Sequence, residues 1–118
     1  MAADFAALAL VAAHASVLWL MTRSGALPTA WAIAWLVLSA FTALLYARDK
    51  RAARLQLRRT PEVVLHLLEL AGGWPGALLA QRALRHKNRK PAYQFAFWAC
   101  VLLHEALLGH GWRLAAGA

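Results

Sequence analysis

Three ionisable residues, Glu62, His66 and Glu69, follow one another at intervals of four and three positions. In an α-helix this spacing places all three side chains on one face. A carboxylate, an imidazole and a second carboxylate on one face could bind a divalent transition metal or relay protons. Ligands on consecutive turns of one helix rarely complete a coordination shell, so a metal would need a further ligand, for which His86 or a water is the candidate. A divalent metal is the one cofactor that the sequence suggests.

Most of the positive charge lies in two short segments, Arg48 to Arg59 and Arg82 to Lys90, which hold eleven of the 13 Lys and Arg. Such basic clusters bind anionic lipid headgroups, or serve only to keep a loop on the cytoplasmic side of a membrane. The acids beside them would hold the cations in register. The residues predicted to form an anion-binding or headgroup-binding face are Asp49, Lys50, Arg59, Glu62, Arg85, His86 and Lys87.

Composition decides what kind of protein carries these residues. The chain has 118 residues, of which 62% are hydrophobic, and a formal net charge of +8. A disordered basic tail would contain few apolar residues, and a soluble nucleic-acid-binding domain would contain nearer half. Nucleic acid is therefore not an expected partner, whereas a lipid bilayer with anionic lipids is. The length predicts a single membrane domain over residues 1–118, and the lone Cys100 excludes an intramolecular disulfide framework.

Three apolar stretches, at about 5–22, 29–47 and 92–108, are each long enough for a helix to cross a hydrocarbon core of about 30 Å. The first two are uncharged, and Glu105 interrupts the third near its end. They predict an all-α fold, an integral membrane helix bundle. The second helix is expected to continue past the membrane surface with a basic face. Gly109 and Gly111 are expected to end the last helix.

The segment at about 61–86 admits two arrangements. Thr60 is a good N-cap and Pro61 suits a first helical turn, and a glycine-rich turn then interrupts the helix. One full crossing would give four spans and would put the two basic segments on opposite faces. A re-entrant hairpin would keep both on the cytoplasmic side, as expected for short basic loops, and we therefore predict three spans, one hairpin and a cytoplasmic N-terminus. The predicted hairpin turn is formed by Gly72, Gly73, Trp74, Pro75 and Gly76.

Polar residues inside the apolar segments are the remaining candidates. In the hairpin, Glu69 lies about 10 Å beyond Glu62 toward the membrane interior, where an unpaired carboxylate is costly. Arg82 or Arg85 is the expected partner. Structural pairing, proton or substrate handling and metal binding all remain open for Glu69. The predicted intramembrane polar residues are His14, Glu69 and Glu105, and His104 with Glu105 is expected to form a polar cap with Arg113.

A set of motifs along the middle of the chain resembles a known family. The motifs are Tyr46-x-x-Asp49-Lys50, Arg59-x-x-Glu62, Gly72-Gly73-x-x-Gly76 and Arg85-His86-Lys87. In order and spacing they are similar to the bacterial membrane-protein family catalogued as domain of unknown function 1294. The resemblance implies a small multi-span protein of the bacterial inner membrane. It implies no activity, because none is established for the family.

Three functions follow as hypotheses. The first is a non-catalytic membrane module whose basic cytoplasmic face binds an anionic lipid headgroup, a small anion or a partner. The second is a membrane-embedded enzyme or metal site that uses Glu62, His66, Glu69 and His86. The third is a small transporter with a protonatable Glu69, which would have to be a homo-oligomer because three spans enclose little volume. No nucleophile–base pair with a recognisable spacing is present, so the sequence assigns no catalytic residue.

Overall fold

The computed structural model of the protein describes residues 2–87 and 90–117. Its helices are α1 (Ala2–Arg23), α2 (Thr29–Arg54), α3 (Glu62–Leu68), α4 (Trp74–Leu84) and α5 (Pro91–Gly117), and a π-helical turn, Glu69–Gly73, joins α3 to α4. In these two ranges there is no strand, so the predicted all-α class is confirmed. Arg89, which belongs to the second basic segment, lies outside the described residues.

The outer surface of the long helices is apolar. Phe95 is 81% exposed and Leu36 is 72% exposed, and many other large hydrophobic side chains also face outward. A soluble protein rarely exposes apolar surface on this scale. Four helical segments, counting α3, the π turn and α4 as one, are long and apolar enough to cross a membrane. The predicted fold class, a helix bundle of the membrane type, is therefore confirmed.

The segment from Glu62 to Leu84 differs from the other three because it is enclosed by them. About 56% of its most apolar stretch is buried, against 11–28% for the other helices. Its helix is also broken, because Gly72 has a φ of 128°, a conformation that costs glycine little and other residues much. A side chain at this position would also collide with the indole of Trp35. The glycine thus permits both the bend and the close packing against α2.

Both ends of this broken segment lie beside the same end of α2. Asp49, near the C-terminus of α2, contacts Thr60 just before α3 and His86 just after α4. The middle of the segment lies farther along α2, where Gly76 packs directly on the backbone of Ser39. Ser39 and Asp49 are about 15 Å apart along a helix that rises 1.5 Å per residue. The two ends of the segment therefore lie together, and its middle packs about 15 Å farther along α2.

The core surrounds this broken segment. Fully buried side chains from four elements meet there, with Tyr46 from α2, Leu65 from α3, Leu78 from α4 and Phe97 from α5. A second, smaller cluster at the opposite end of the bundle joins Met21, Leu27 and Leu108. The larger core thus fixes the position of the inserted segment, whereas the smaller one only holds the three long helices together.

Two helix boundaries differ from the sequence-based prediction. Helix α5 continues through Gly109 and Gly111 to Gly117. A glycine inside a helix costs only about 1 kcal/mol, and the apolar residues that follow sustain the helix. Thr60 is not an N-cap, because α3 begins at Glu62 with Pro61 in the cap position. The backbone N–H of Thr60 donates instead to Asp49.

Candidate functional site

One buried carboxylate joins the two basic segments. Asp49 has no exposed side-chain surface, and its Oδ1 accepts a hydrogen bond from the backbone N–H of Thr60 at 2.9 Å. Its Oδ2 lies 3.2 Å from Arg59 Nη2, 2.8 Å from His86 Nε2 and 3.3 Å from Lys87 Nζ. Because Arg59 precedes α3, and His86 and Lys87 follow α4, this single side chain holds both segments at one end of the bundle.

A second carboxylate extends the same network. Glu62 Oε2 lies 3.1 Å from Lys87 Nζ and 2.7 Å from Lys90 Nζ. The Lys87 side chain is only 4% exposed and bridges Glu62 and Asp49. Its ammonium also lies 4.9 Å from the ring centre of Tyr93, a cation–π arrangement. A buried ammonium needs such compensation, so Lys87 belongs to the interior of the network rather than to its binding surface.

The two remaining residues of the predicted face lie beside this network. Lys50 donates a hydrogen bond to the carbonyl of Leu84 at the last turn of α4, where a cation also interacts favourably with the helix dipole. Arg85 ends α4 in the left-handed conformation, with a φ of 51°, and its side chain is exposed. The structure therefore brings the predicted face together at one end of the bundle. Its members in the network are Asp49, Arg59, Glu62, His86 and Lys87.

Positive charge remains after this internal pairing. The two basic segments contain eleven Lys and Arg, whereas Asp49 and Glu62 are the acids that accompany them. The exposed guanidinium groups at this end belong to Arg48, Arg51, Arg54, Arg58, Arg59 and Arg85. Arg48 donates to Thr60 Oγ1 at 3.1 Å, and Arg59 is 48% exposed although it contacts Asp49. This end of the molecule is therefore a cationic surface built on a neutralised interior.

A second polar group lies deeper in the bundle, around Glu69. The carboxylate is completely buried, and the phenol of Tyr46 donates to its Oε2. Tyr93 OH lies 3.3 Å from the same oxygen, and His66 Nδ1 lies 2.6 Å from Oε1. These partners come from α2, α3 and α5, so the carboxylate ties three elements together.

The expected arginine partner of Glu69 is not used. Arg85 is exposed, and Arg82 is half-buried with its Nε unbonded, so neither is among the groups that contact the carboxylate in the described part of the chain. Two phenols supply the hydrogen bonds that a guanidinium was expected to supply. The complete burial of Glu69 and its three side-chain partners favour the structural interpretation over substrate handling.

The hydrogen-bond chain continues through two glutamines that the sequence did not single out. Gln81 Nε2 donates to the phenol oxygen of Tyr46 at 3.1 Å, and Gln94 Nε2 donates to Gln81 Oε1 at 2.8 Å. Trp98 Nε1 in turn donates to Gln94 Oε1 at 3.2 Å. The available sequence signal was their position where an apolar segment meets a basic one, because Gln81 directly precedes Arg82 and Gln94 lies four residues after Lys90.

The four residues proposed as one metal set fall into separate groups. His66 pairs with Glu69 in the deep cluster, whereas Glu62 contacts lysines and His86 contacts Asp49 at the charged end. Helical spacing brought His66 and Glu69 together as expected. Helical spacing does not predict the tertiary contacts of the other two residues, Glu62 with lysines and His86 with Asp49.

His14 and Glu105, both predicted to lie inside the membrane, contact each other. Nδ1 of His14, on α1, lies 2.6 Å from Oε1 of Glu105, on α5. Trp74 Nε1 donates to the same oxygen at 3.2 Å. The expected contact between Glu105 and Arg113 is replaced by these two, because Arg113 is exposed more than one turn farther along α5.

Long apolar helices around an inserted, polar-lined segment define a small multi-pass helical membrane protein. Residues 39–93 match the sequence model of the family described as Protein of unknown function (DUF1294). This match confirms the family suggested by the motifs. The matched segment begins at Ser39, on which Gly76 packs, and ends at Tyr93, which contacts Glu69, so it covers the inserted segment and its immediate supports. No curated protein and no solved structure matches the chain.

Proposed function

We propose that this protein is a non-catalytic membrane module whose cationic end binds the headgroups of anionic lipids. The observation that carries this proposal is the buried Asp49, which holds both basic segments at one end of the bundle. Two loops held together present one continuous cationic surface, whereas two loops at opposite ends would present two weak ones. Headgroup phosphates are the nearest anions to a surface that lies beside apolar helices.

The residues of this end divide into two roles. Asp49 and Glu62 neutralise Lys87 and fix the loops, and the exposed arginines carry the charge that remains available to an anion. Each cation near an anionic membrane surface contributes about 1 kcal/mol. Several of them acting together are therefore sufficient to retain anionic lipid, without any single residue being essential.

The proposed orientation places the N-terminus and both basic segments on the cytoplasmic side of a bacterial inner membrane. In this arrangement α1, α2 and α5 span the bilayer, and the segment from Glu62 to Leu84 re-enters. Support comes from the contacts of Asp49 at both ends of that segment. The break at Gly72 is tolerated at membrane depth because neighbouring helices bury it.

Cysteine labelling tests this orientation. In a Cys100→Ala background, Arg58→Cys and Arg85→Cys should both react with a membrane-impermeant maleimide only from the cytoplasmic side. Ala115→Cys, near the end of α5, should react only from the other side. All three side chains are exposed, so each site is accessible to the reagent. If Arg58→Cys and Arg85→Cys were labelled from opposite faces, the segment would be a fourth full span and the re-entrant arrangement would be wrong.

Lipid retention tests the binding proposal. Purified protein is exchanged into detergent with equal amounts of phosphatidylglycerol and phosphatidylcholine, and bound lipid is counted by native mass spectrometry. We expect wild type to retain phosphatidylglycerol preferentially. The Arg51→Gln/Arg54→Gln variant should lower the retention roughly tenfold or more, as expected for two cations at about 1 kcal/mol each.

The matched control removes two charges from the opposite end of the bundle. Arg23→Gln/Arg113→Gln should keep the wild-type preference, because both residues are exposed away from the basic segments. Equal retention of the two lipids by wild type, or equal losses in both double variants, would contradict the proposal. Displacement of the lipid by millimolar inorganic phosphate would instead identify a small anion as the ligand.

A further inference from the structure

Three potential metal ligands meet where the inserted segment reaches the middle of the bundle. They are His14 from α1 and the neighbouring pair His104 and Glu105 from α5. One ligand atom from each residue lies within 4.8 Å of the others. Both histidines are only 6% exposed, so these groups have been removed from solvent at a considerable cost. This cluster is separate from the charged end and from the group around Glu69.

The hydrogen bonding of His104 leaves the lone pair of its Nε2 atom free within this cluster. Its Nδ1 lies 3.1 Å from the carbonyl oxygen of Leu70, in the π-helical turn. A carbonyl only accepts hydrogen bonds, so Nδ1 carries the proton and Nε2 keeps its lone pair. That Nε2 is buried and has no hydrogen-bond partner in the described residues. An N–H donated to a backbone carbonyl is also the usual way in which proteins orient a metal-binding histidine.

The carboxylate of Glu105 is likewise oriented by a hydrogen bond from a neighbouring side chain. Trp74 Nε1 donates to its Oε1 at 3.2 Å. Nδ1 of His14 lies 2.6 Å from the same oxygen, closer than two acceptors approach without a proton or a metal ion beside them. Either a proton on His14 or a bound metal ion can hold these two atoms this close. A proton on His14 would serve, but it would leave His104 Nε2 unsatisfied, whereas one metal ion would satisfy all three groups.

We propose that His14, His104 and Glu105 form a binding site for a divalent transition metal of the zinc class. Two imidazoles and one carboxylate are ligands that zinc uses with a fourth position left open. Hard cations such as magnesium prefer oxygen ligands only. Ligand bonds of 2.0–2.2 Å in tetrahedral geometry separate ligand atoms by about 3.4 Å. The ligand atoms lie within 4.8 Å of one another, and His14 Nδ1 lies 2.6 Å from Glu105 Oε1. Side-chain shifts of about 1 Å would bring them to the spacing that zinc requires.

Two cavities give access to the site. One, of about 320 Å³, is lined by His14 together with Trp35, Gly72 and apolar side chains. The other, of about 390 Å³, is lined by His104 and also by Trp35. A metal site needs an entry path as well as ligands. These cavities also leave room for a water or small ligand in the fourth position.

Metal titration of the tag-free protein tests this proposal. The full-length chain is purified in detergent, stripped with a chelator, and incubated with Zn²⁺ or with Mg²⁺ before gel filtration and elemental analysis. We expect about one zinc ion per chain, no retained magnesium, and a zinc-dependent rise in Tm, since a ligand that binds only the folded state stabilises it. Co²⁺ should give the visible absorption of a four-coordinate site.

Substitution of each ligand separates specific from adventitious binding. His14→Gln, His104→Gln and Glu105→Gln should each weaken zinc binding by more than tenfold and abolish the rise in Tm. The matched control is His110→Gln, an exposed histidine on the same helix as His104, and it should bind zinc as wild type does. Glu105→Gln keeps an oxygen that can accept from Trp74, so it is the variant expected to stay folded. The proposal would be overturned if folded wild type retained no zinc after incubation with Zn²⁺. It would also be overturned if Glu105→Gln bound zinc as tightly as wild type does.

Discussion

Replacing Asp49 by alanine should lower the free energy of unfolding by about 3–5 kcal/mol, the range for removal of one partner from a buried ion pair. The substitution leaves the Lys87 ammonium, with only 4% of its side chain exposed, paired to Glu62 alone. It also removes the acceptor for the Thr60 backbone N–H and the partner of His86. Thermal unfolding of wild type and variant in the same detergent measures the difference.

Glu62 provides the control for this prediction. Its side chain is 38% exposed, and partly exposed ion pairs contribute about 1 kcal/mol or less, so Glu62→Ala should lower stability far less than Asp49→Ala. A double-mutant cycle sharpens the test, because Lys87→Met should recover part of the loss caused by Asp49→Ala by removing the stranded charge. Equal losses for Asp49→Ala and Glu62→Ala, with no recovery, would mean that Asp49 does not organise this end.

The loss of Asp49 should affect lipid retention as well as stability. Arg59, just before the inserted segment in the chain, and His86, just after it, contact the same carboxylate. Without it, the two basic segments lose the buried anchor that they share, and only the partly exposed contacts of Glu62 and the Lys50 hydrogen bond still link them. Their arginines should then no longer form one fixed surface. A variant that folds at low temperature but retains less anionic lipid would therefore connect the buried network to the proposed binding face.

The features of the fold that follow from the contrast between lipid and water were predictable from the sequence. Long apolar stretches require helices in lipid, and the two basic segments constrain which ends of those helices lie together. Local interruptions were less predictable. Gly72 does break its helix, as expected, whereas Gly109 and Gly111 do not. The difference lies in packing, since Gly72 lies against the Trp35 indole and the other two have no atom near the position of a Cβ.

The partners of Glu69 illustrate what sequence spacing cannot provide. His66, one turn away on the same helix, was identifiable from the i, i+3 relationship. Tyr46 and Tyr93 lie 23 and 24 positions away on other helices, and only the tertiary arrangement brings them to the carboxylate. The expected arginines were nearer in sequence, but α4 turns them toward the surface or leaves them outside the cluster. Charge complementarity alone was therefore a poor guide to a buried partner.

Gly76→Ala should destabilise the protein by about 3 kcal/mol or more, at the upper end of the effects of overpacking. A Cβ at this position would overlap the carbonyl group and Cα of Ser39. These are backbone atoms in the middle of α2, so no side-chain rotation can relieve the collision. Elsewhere in a helix the same substitution would stabilise by about 0.5–1 kcal/mol, so the expected loss is opposite in sign to the intrinsic preference. Thermal unfolding in detergent measures it.

Gly109→Ala is the matched control, because Gly109 is also helical and a Cβ added there would meet no other atom within 4 Å. It should raise Tm slightly, through helix propensity alone. Small residues let helix backbones approach closely inside membranes, and at Gly76 this approach seats the inserted segment against α2. Loss of this close approach in Gly76→Ala should also increase proteolysis near Gly72, because the turn of the inserted segment would no longer be held against α2. A Gly76→Ala variant as stable as wild type would mean that α2 and α4 do not pack this closely in the bilayer, and the enclosed position of the segment would then have to come from α5.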